Sequence, residues 1–125
     1  IESEEDVTED DFVGNFERTD TAEGGDVIHE RISIQAGSIT ALSGFYQVTR
    51  SGPNCQYEYT RDLTGRVSSY TGFLTLAPLT YTQQCQSGSA DITLSTETWT
   101  CKLRNEKAVL RCTNRDGNEV DYQRQ

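Results

Sequence analysis

The chain has 125 residues, of which 34% are hydrophobic and 25% are charged, and its formal net charge at pH 7 is -9. This length suits a single domain, and no stretch approaches the roughly 20 apolar residues of a membrane-spanning helix. Lysine and arginine residues are scattered, so the sequence lacks the basic stripe that neutralises nucleic-acid phosphates. We therefore expect one acidic domain with no membrane span and no nucleic-acid partner.

The acidic residues are concentrated at the start of the chain. Residues 1–11 contain seven acids and no base, whereas the other residues contain 13 acids and 11 bases. A block of like charges repels itself and usually stays disordered. We therefore predict a disordered acidic tail over residues 1–11 and a single all-β domain over residues 12–125. The tail is interpreted as a spacer rather than a contact arm, and its deletion should barely change the melting temperature.

The body of the chain alternates short strand-like segments with turns. Residues that favour strands are abundant, glycine-containing turn signals such as Thr64-Gly65 recur about every ten residues, and helical periodicity with caps is missing. This pattern is typical of an antiparallel barrel or sandwich. Segment 90–104 is long enough for two strands with a bend. The predicted strands cover residues 12–19, 28–35, 39–50, 55–62, 66–76, 79–84, 90–104, 107–114 and 118–124.

Four cysteines predict two disulfides. The separations between Cys55, Cys85, Cys101 and Cys112 are 30, 16 and 11 residues, so no Cys-x-x-Cys pair is available for a metal ion. A hairpin centred between residues 106 and 107 would bring Cys101 opposite Cys112, within bonding reach. This predicts Cys101–Cys112 and, by elimination, Cys55–Cys85, although the other two connectivities remain possible.

Disulfides in a short polar chain indicate an oxidising compartment, so we expect a secreted or periplasmic protein. The chain contains no methionine, and no signal peptide is visible. We therefore expect a mature form whose targeting segment has been removed. The expected oligomeric state is a monomer.

Candidate catalytic groups are few. His29 is the single histidine, and no Gly-x-Ser-x-Gly elbow accompanies it to supply a nucleophile. Glu58 and Asp62 lie on one face of a predicted strand, where a solvated surface is a better explanation than a glycosidase pair. Because a phosphate-binding glycine loop is also missing, we predict a non-enzymatic protein that uses no cofactor.

The segment 114–118 has alternating oxygen ligands that suggest a calcium loop. An EF-hand loop requires glycine at position 6 and glutamate at position 12, whereas this segment has Gly117 at position 4 and Gln125 at position 12. Asp116-Gly117 instead supplies the backbone angles of a tight hairpin. We therefore predict a hairpin turn and no metal site.

The first and last predicted strands resemble those of the calycin superfamily, the lipocalins and their bacterial lipocalin-like relatives. Lipocalins carry Gly-x-Trp on the first barrel strand, and an arginine of the last strand packs over that tryptophan. Gly14, Phe16 and Arg124 stand at the corresponding positions, with phenylalanine in place of tryptophan. The resemblance implies an all-β, up-and-down antiparallel barrel of about eight strands, which leaves room for one small ligand. A β-sandwich is the alternative fold.

Aromatic residues indicate where a ligand would bind. Tyr57 and Tyr59 have the same strand parity as the first cysteine, and Trp99 has the parity of Cys101. Buried Tyr and Trp need partners for their polar atoms, and a ligand can supply them. We predict that Tyr57, Tyr59, Trp99 and Tyr122 bind a small apolar or amphipathic molecule. The alternative function is a protein-binding module, such as an inhibitor, an immunity-type protein or an adhesion protein, with outward-facing rings as anchors.

Overall fold

The computed structural model describes residues 7–37 and 41–125. Residues 1–6 of the predicted tail and residues 39–40 of the predicted third strand lie outside these ranges. The described residues form one short helix and ten strands: α1 Glu9–Phe12, β1 Gly14–Thr21, β2 Val27–Ala36, β3 Leu42–Ser51, β4 Cys55–Ser68, β5 Thr71–Leu76, β6 Leu79–Cys85, β7 Gly88–Leu94, β8 Glu97–Arg104, β9 Val109–Thr113 and β10 Glu119–Arg124.

Eight strands close into an antiparallel barrel. β1 to β5 follow one another around it, β8 to β10 complete it, and β10 pairs with β1 through the register Phe16–Arg124. The predicted up-and-down barrel of about eight strands is therefore confirmed, and the sandwich alternative is wrong. Closure gives each barrel strand two hydrogen-bonded neighbours, which removes exposed sheet edges.

The remaining two strands, β6 and β7, form a hairpin that we call the wing (residues 79–94). It is inserted between β5 and β8 and pairs with the first residues of β4. The disulfide Cys55–Cys85 joins these paired residues. The segment predicted over 90–104 thus divides, as expected, into β7 and β8.

Arg61 ties both ends of the wing to the barrel. Its side chain is only 3% exposed, which requires partners for the buried guanidinium. Nε donates to the carbonyl oxygen of Ala77 (2.8 Å) and Nη2 to that of Ser95 (2.6 Å), and Nη1 lies 3.5 Å from the carboxylate of Glu97. The residues that flank the two ends of the wing are therefore both bound to the buried guanidinium of Arg61.

β4 is longer than the sequence predicts, because the predicted turn at Thr64-Gly65 lies inside it. Gly65 faces the barrel interior, where a Cβ would lie 2.8 Å from the side chain of Leu74. The glycine provides space in a crowded interior and does not reverse the chain.

The β8–β9 hairpin has the predicted register. Cys101 lies opposite Cys112 and Leu103 opposite Leu110, and the two cysteines form the second disulfide. Both predicted disulfides are therefore present. The segment 114–118 is likewise a hairpin turn, in which Oδ1 of Asn114 accepts hydrogen bonds from the backbone N–H groups of residues 116 and 118.

One half of the barrel is filled by apolar side chains. Phe12, from α1, is fully buried and packs against Gly72, where a Cβ would lie 2.7 Å from the ring. Each fully buried aliphatic or aromatic side chain contributes roughly 1.5–3 kcal/mol, so this half supplies much of the hydrophobic stabilisation. Its other principal members are Phe16, Ile32, Ile34, Leu42, Leu63, Leu74, Leu76, Leu103 and Leu110.

The predicted disorder of the tail is wrong for residues 9–11, which belong to α1. The backbone N–H of Thr8 donates to the carboxylate of Asp11 (2.9 Å), and Val7 packs against the core. Acids in the first turn of a helix are favourable because they face its unpaired N–H groups. The prediction of disorder considered only the repulsion between these acids and not their contacts with the helix N-terminus. Deleting residues 1–11 would remove packed structure, so the expectation of an unchanged melting temperature no longer holds.

Arg124 closes the barrel next to α1. Its guanidinium carbon lies 4.5 Å from the centre of the Phe16 ring, over the face. Gly14 leaves space for it, since a Cβ there would lie 2.7 Å from Nη1. The structure gives these three residues the relative positions that the resemblance implies.

The same guanidinium joins two separate segments of the chain. It donates hydrogen bonds to the carbonyl oxygens of Asp11 (2.6 Å), Val13 (2.9 Å) and Lys107 (2.9 Å). The first two belong to the junction between α1 and β1, and the third belongs to the β8–β9 turn. Arg124 therefore holds the helix against the closed end of the barrel.

Asp26 fixes the loops at the opposite end. Its side chain is fully buried and accepts hydrogen bonds from the backbone N–H groups of Asn54 and Cys55 (both 2.9 Å) and from Nε of Arg50 (3.0 Å). These bonds, the one from Asn54 foremost, hold the pKa of Asp26 below its ordinary value despite burial. The β1–β2 loop is thereby tied to the β3–β4 turn.

Among the described residues, no helix has the length and apolar character needed to cross a membrane.

We expect R124M to lower the free energy of unfolding by about 2–4 kcal/mol, because three charge-assisted hydrogen bonds and a cation–π contact are lost. Denaturant unfolding measures this value. R66M is the matched control, since Arg66 stacks over Phe73 at 4.4 Å on the outer face of the barrel, and it should cost less than about 1 kcal/mol. Equal losses in the two variants would show that Arg124 stabilises the protein only through its ring contact.

We expect D26N to lower the melting temperature by several degrees at pH 7. The carboxyl pKa is lower in the folded protein than its value of about 3.9 in an unfolded chain, so the carboxylate stabilises the fold above about pH 4 and loses this effect as the pH falls through the lowered pKa. The difference in melting temperature between D26N and the native chain should therefore decrease at acidic pH. D116N, in an exposed turn, is the control, and a pH-independent difference for D26N would contradict the assignment.

Candidate functional site

The half of the barrel opposite Arg124 contains a cavity of about 190 Å³, which we call the barrel cavity. Engineered cavities of about 150 Å³ hold benzene, so the barrel cavity has room for one aromatic ring with a short substituent. Its wall is formed by Arg18, Glu30, Tyr46, Trp99, Cys112, Asn114, Val120 and Tyr122.

The polar residues of this wall continue the inward-facing rows of the packed half. Glu30 precedes Ile32 and Ile34 on the inward face of β2, and Arg18 follows Phe16 on the inward face of β1. Alternation along a strand keeps every second side chain on the same face. Each row therefore changes from apolar to charged within the barrel.

Glu30 is the centre of a buried hydrogen-bond network. Its carboxylate, on a residue only 7% exposed, accepts hydrogen bonds from the hydroxyl groups of Tyr46 and Tyr122, the latter at 3.1 Å, and from Nη1 of Arg18. The guanidinium of Arg18 also lies 3.4 Å from the exposed carboxylate of Asp20. Glu30 is thus both hydrogen-bonded and paired, as a buried charge must be.

Both tyrosines of the network are neutral donors. Burial raises the pKa of Tyr46 well above its ordinary value, and the neighbouring Tyr122 and Glu30 add to this effect. Burial and then the charge of Glu30 raise the pKa of Tyr122 as well. Ionising either phenol next to a carboxylate is unfavourable, so both hydroxyl groups remain protonated and keep the carboxylate in place.

Aromatic rings form the apolar side of the barrel cavity. The ring of Trp99 meets Tyr46 edge-on, with centroids 4.9 Å apart, and lies nearly parallel to Tyr122 at 6.3 Å. The indole N–H donates to the carboxylate of Glu97 (2.9 Å). The hydrogen-bonding capacity of Trp99 is therefore satisfied by the protein, and its ring is available for apolar contact.

The structure places two of the four predicted ligand-binding residues in the barrel cavity, Trp99 and Tyr122. Tyr57 and Tyr59 lie elsewhere, against Tyr81 of the wing: the ring of Tyr59 stacks with that of Tyr81 at a centroid distance of 4.6 Å, and the ring of Tyr57 is tilted to it at 5.0 Å. The reason is that β4 extends past its last pair with β5, Leu63–Leu76, so that Tyr57 and Tyr59 remain paired with β3 but lie beside the wing. Whether Trp99 and Tyr122 bind a ligand remains a prediction.

The wing tyrosines are nevertheless connected to the barrel cavity. Tyr59 lies edge-on to Tyr46, with ring centroids 6.4 Å apart, and Tyr46 is part of the cavity wall. Burial raises the pKa of Tyr59, and the neighbouring Tyr57 and Tyr81 add to this effect. One continuous row of rings therefore runs from the wing into the barrel.

Sequence reasoning missed Arg18, Glu30 and Tyr46. A signal was present for Glu30, since it interrupts the row Ile28, Glu30, Ile32, and an acid on an otherwise apolar strand face is expected to be functional or paired. Arg18 carries the same signal two residues after Phe16. No pattern in the sequence indicates that the two charges meet across adjacent strands.

The candidate catalytic groups are not brought together. His29 lies on the outer face of the barrel, where Nε2 is 2.7 Å from a carboxylate oxygen of Glu17. Glu58 accepts a long hydrogen bond from Gln47 (3.3 Å) and lies on the same outer face of β4 as Asp62. Within residues 7–37 and 41–125, no group of His, Cys, Asp and Glu side chains is arranged to hold a metal ion.

A larger depression of about 460 Å³ lies on the outer surface, between β4, β5 and β8. Thr64, Phe73 and Thr98 contribute to its wall. Its side chains point away from the barrel, and its floor has no buried charge. The barrel cavity, which combines enclosure with a fixed charged network, is therefore the better candidate site.

The described chain is an eight-stranded antiparallel barrel with an inserted hairpin and two disulfides. No protein-family model, curated protein or solved structure matches this chain.

Proposed function

We propose that the protein is a non-enzymatic binding domain that holds a small amphipathic molecule in the barrel cavity. The observation that carries this proposal is a cavity of about 190 Å³ with aromatic rings on one side and the Glu30–Arg18 pair on the other. Small-molecule sites are usually concave and mainly apolar, with a few fixed polar groups that orient the ligand.

The lining favours an amphipathic ligand over a purely apolar one. An apolar ligand would leave the exposed side of the Arg18 guanidinium, whose side chain is 28% exposed, without water or a polar partner, and this costs free energy. A ligand with one polar group can bond to the Glu30–Arg18 pair and bury its ring against Trp99. The volume limits the enclosed part of the ligand to about one ring and its substituent.

The proposal includes an extracytoplasmic location and membership of the calycin superfamily. Two disulfides support the location, because they persist mainly in oxidising compartments. The stacking of Arg124 over Phe16, beside Gly14, supports the family. Together they favour a lipocalin-like carrier or scavenger of small molecules.

A protein-binding module is the second candidate, and the wing favours it. β7 has only β6 as a described neighbour, and such an edge can accept a strand from another protein. The stacked tyrosines beside it are typical anchors of interfaces. This function would use the wing and leave the barrel cavity unused.

We expect V120F to weaken the binding of a small amphipathic probe roughly tenfold or more, because the new ring occupies the barrel cavity without removing a polar group. Trp99 is the single tryptophan, so its fluorescence reports binding directly. Suitable probes are 2-phenylethanol, phenylacetate and 2-phenylethylamine, each titrated into the native chain and the variant.

Q123F is the matched control, since it adds the same ring to the exposed face of the same strand and should leave probe affinity unchanged. Probe binding that V120F does not weaken would place the ligand outside the barrel cavity. If no probe gives a saturable change in fluorescence, the small-molecule function is contradicted and the protein-binding candidate replaces it.

A further inference from the structure

We infer that the barrel cavity is a site for organic cations and that Arg18 occupies it as an internal counter-ion, which an aromatic ammonium ligand displaces. This inference rests on the proposed small-molecule function and specifies its ligand class. Three features support it: a carboxylate with hydrogen bonds that do not involve Arg18, an arginine bonded to carboxylates and not to main-chain carbonyl oxygens, and aromatic rings beside both.

The carboxylate of Glu30 is fixed independently of Arg18. The hydroxyl groups of Tyr46 and Tyr122 donate to one of its oxygens, Oε1, whereas Arg18 contacts the other, Oε2. Departure of the guanidinium therefore leaves the two phenol bonds intact and one carboxylate oxygen unoccupied. Because Glu30 lines the barrel cavity and is only 7% exposed, that oxygen is a preformed acceptor for a cationic donor.

Arg18 is held differently from the other interior arginines. Arg61 and Arg124 donate to main-chain carbonyl oxygens, which fixes them to the backbone. The contacts of Arg18 are to two carboxylates, and one of these, Asp20, is itself exposed. A long side chain with 28% exposure and no bond to the backbone in this network can turn toward solvent and keep its contact with Asp20.

The surroundings of Glu30 select a cation over an anion. Trp99, Tyr46 and Tyr122 line the cavity together with Glu30, and the face of an aromatic ring favours a cation within about 6 Å. An anion would be repelled by the Glu30 carboxylate, while the charge of Arg18 is already neutralised.

The experiment compares three probes of similar size that differ in charge: 2-phenylethylamine as the cation, 2-phenylethanol as the neutral form and phenylacetate as the anion. Each is titrated at pH 7 into the native chain, R18M and E30Q, with Trp99 fluorescence and calorimetry as readouts. R111M is the matched control, because it removes one positive charge from a salt bridge on the outer face.

The expected result is that the amine binds most tightly to the native chain. R18M should strengthen amine binding several-fold because the internal competitor is removed, whereas R111M should leave it unchanged. E30Q should weaken amine binding at least roughly tenfold and affect 2-phenylethanol much less. If E30Q does not fold, R18M still decides the question. It should strengthen the binding of the amine, whereas an anion site that uses Arg18 would lose its binding of phenylacetate.

Tighter binding of phenylacetate, lost in R18M, would overturn the inference and identify an anion site in the same cavity, with the proposed function intact. Equal binding of the three probes would also overturn it, because charge would then play no part. Absence of binding for all three probes would instead contradict the small-molecule function itself.

Discussion

The pairing of β1 with β10 is the constraint on which the rest of the structure depends. Until these strands meet, the eight strands form an open sheet with two unpaired edges and a solvated inner face. Arg124 stabilises the closed state because its guanidinium bonds both to the α1–β1 junction and to the β8–β9 turn, which come together on closure. The fully buried core and the barrel cavity are both consequences of this single junction.

Closure also explains why the interior divides into two chemically different halves. α1 covers one end with Phe12, so water is excluded there and apolar side chains fill the space. The other end lacks such a plug among the described residues, and its strands carry Arg18 and Glu30 at inward positions. A charged pair is tolerable in a barrel only where solvent or hydrogen-bond donors are near. The two tyrosines and the open side of the cavity meet this condition.

Local patterns allowed much of the fold to be predicted. Alternation around Cys101 and Cys112 gave the β8–β9 register, and Gly14, Phe16 and Arg124 indicated the closed barrel. The capping of α1 was missed because only the repulsion within the acidic block was considered. The position of the wing was missed because pairing between distant strands leaves no periodic signal in the sequence.

The alternation of side chains along a strand also allowed part of the candidate site to be predicted. Trp99 and Tyr122 were identified from parity, which determines the face of a strand. Parity gives no information on how far along a strand the cavity reaches, and Tyr57 and Tyr59 lie beyond the end of β5, beside Tyr81 of the wing. The Glu30–Arg18 pair depends on the alignment of two strands, and only the three-dimensional structure shows it.

The separation of the closing contacts along the chain has a consequence for the order of folding. Arg124 and Val13 are 111 residues apart, so the final closure contacts carry a large loop entropy and should form late. The Cys101–Cys112 hairpin spans only 11 residues and can form and oxidise early. Oxidative refolding should therefore pass through a species in which this hairpin is already cross-linked while the barrel is still open.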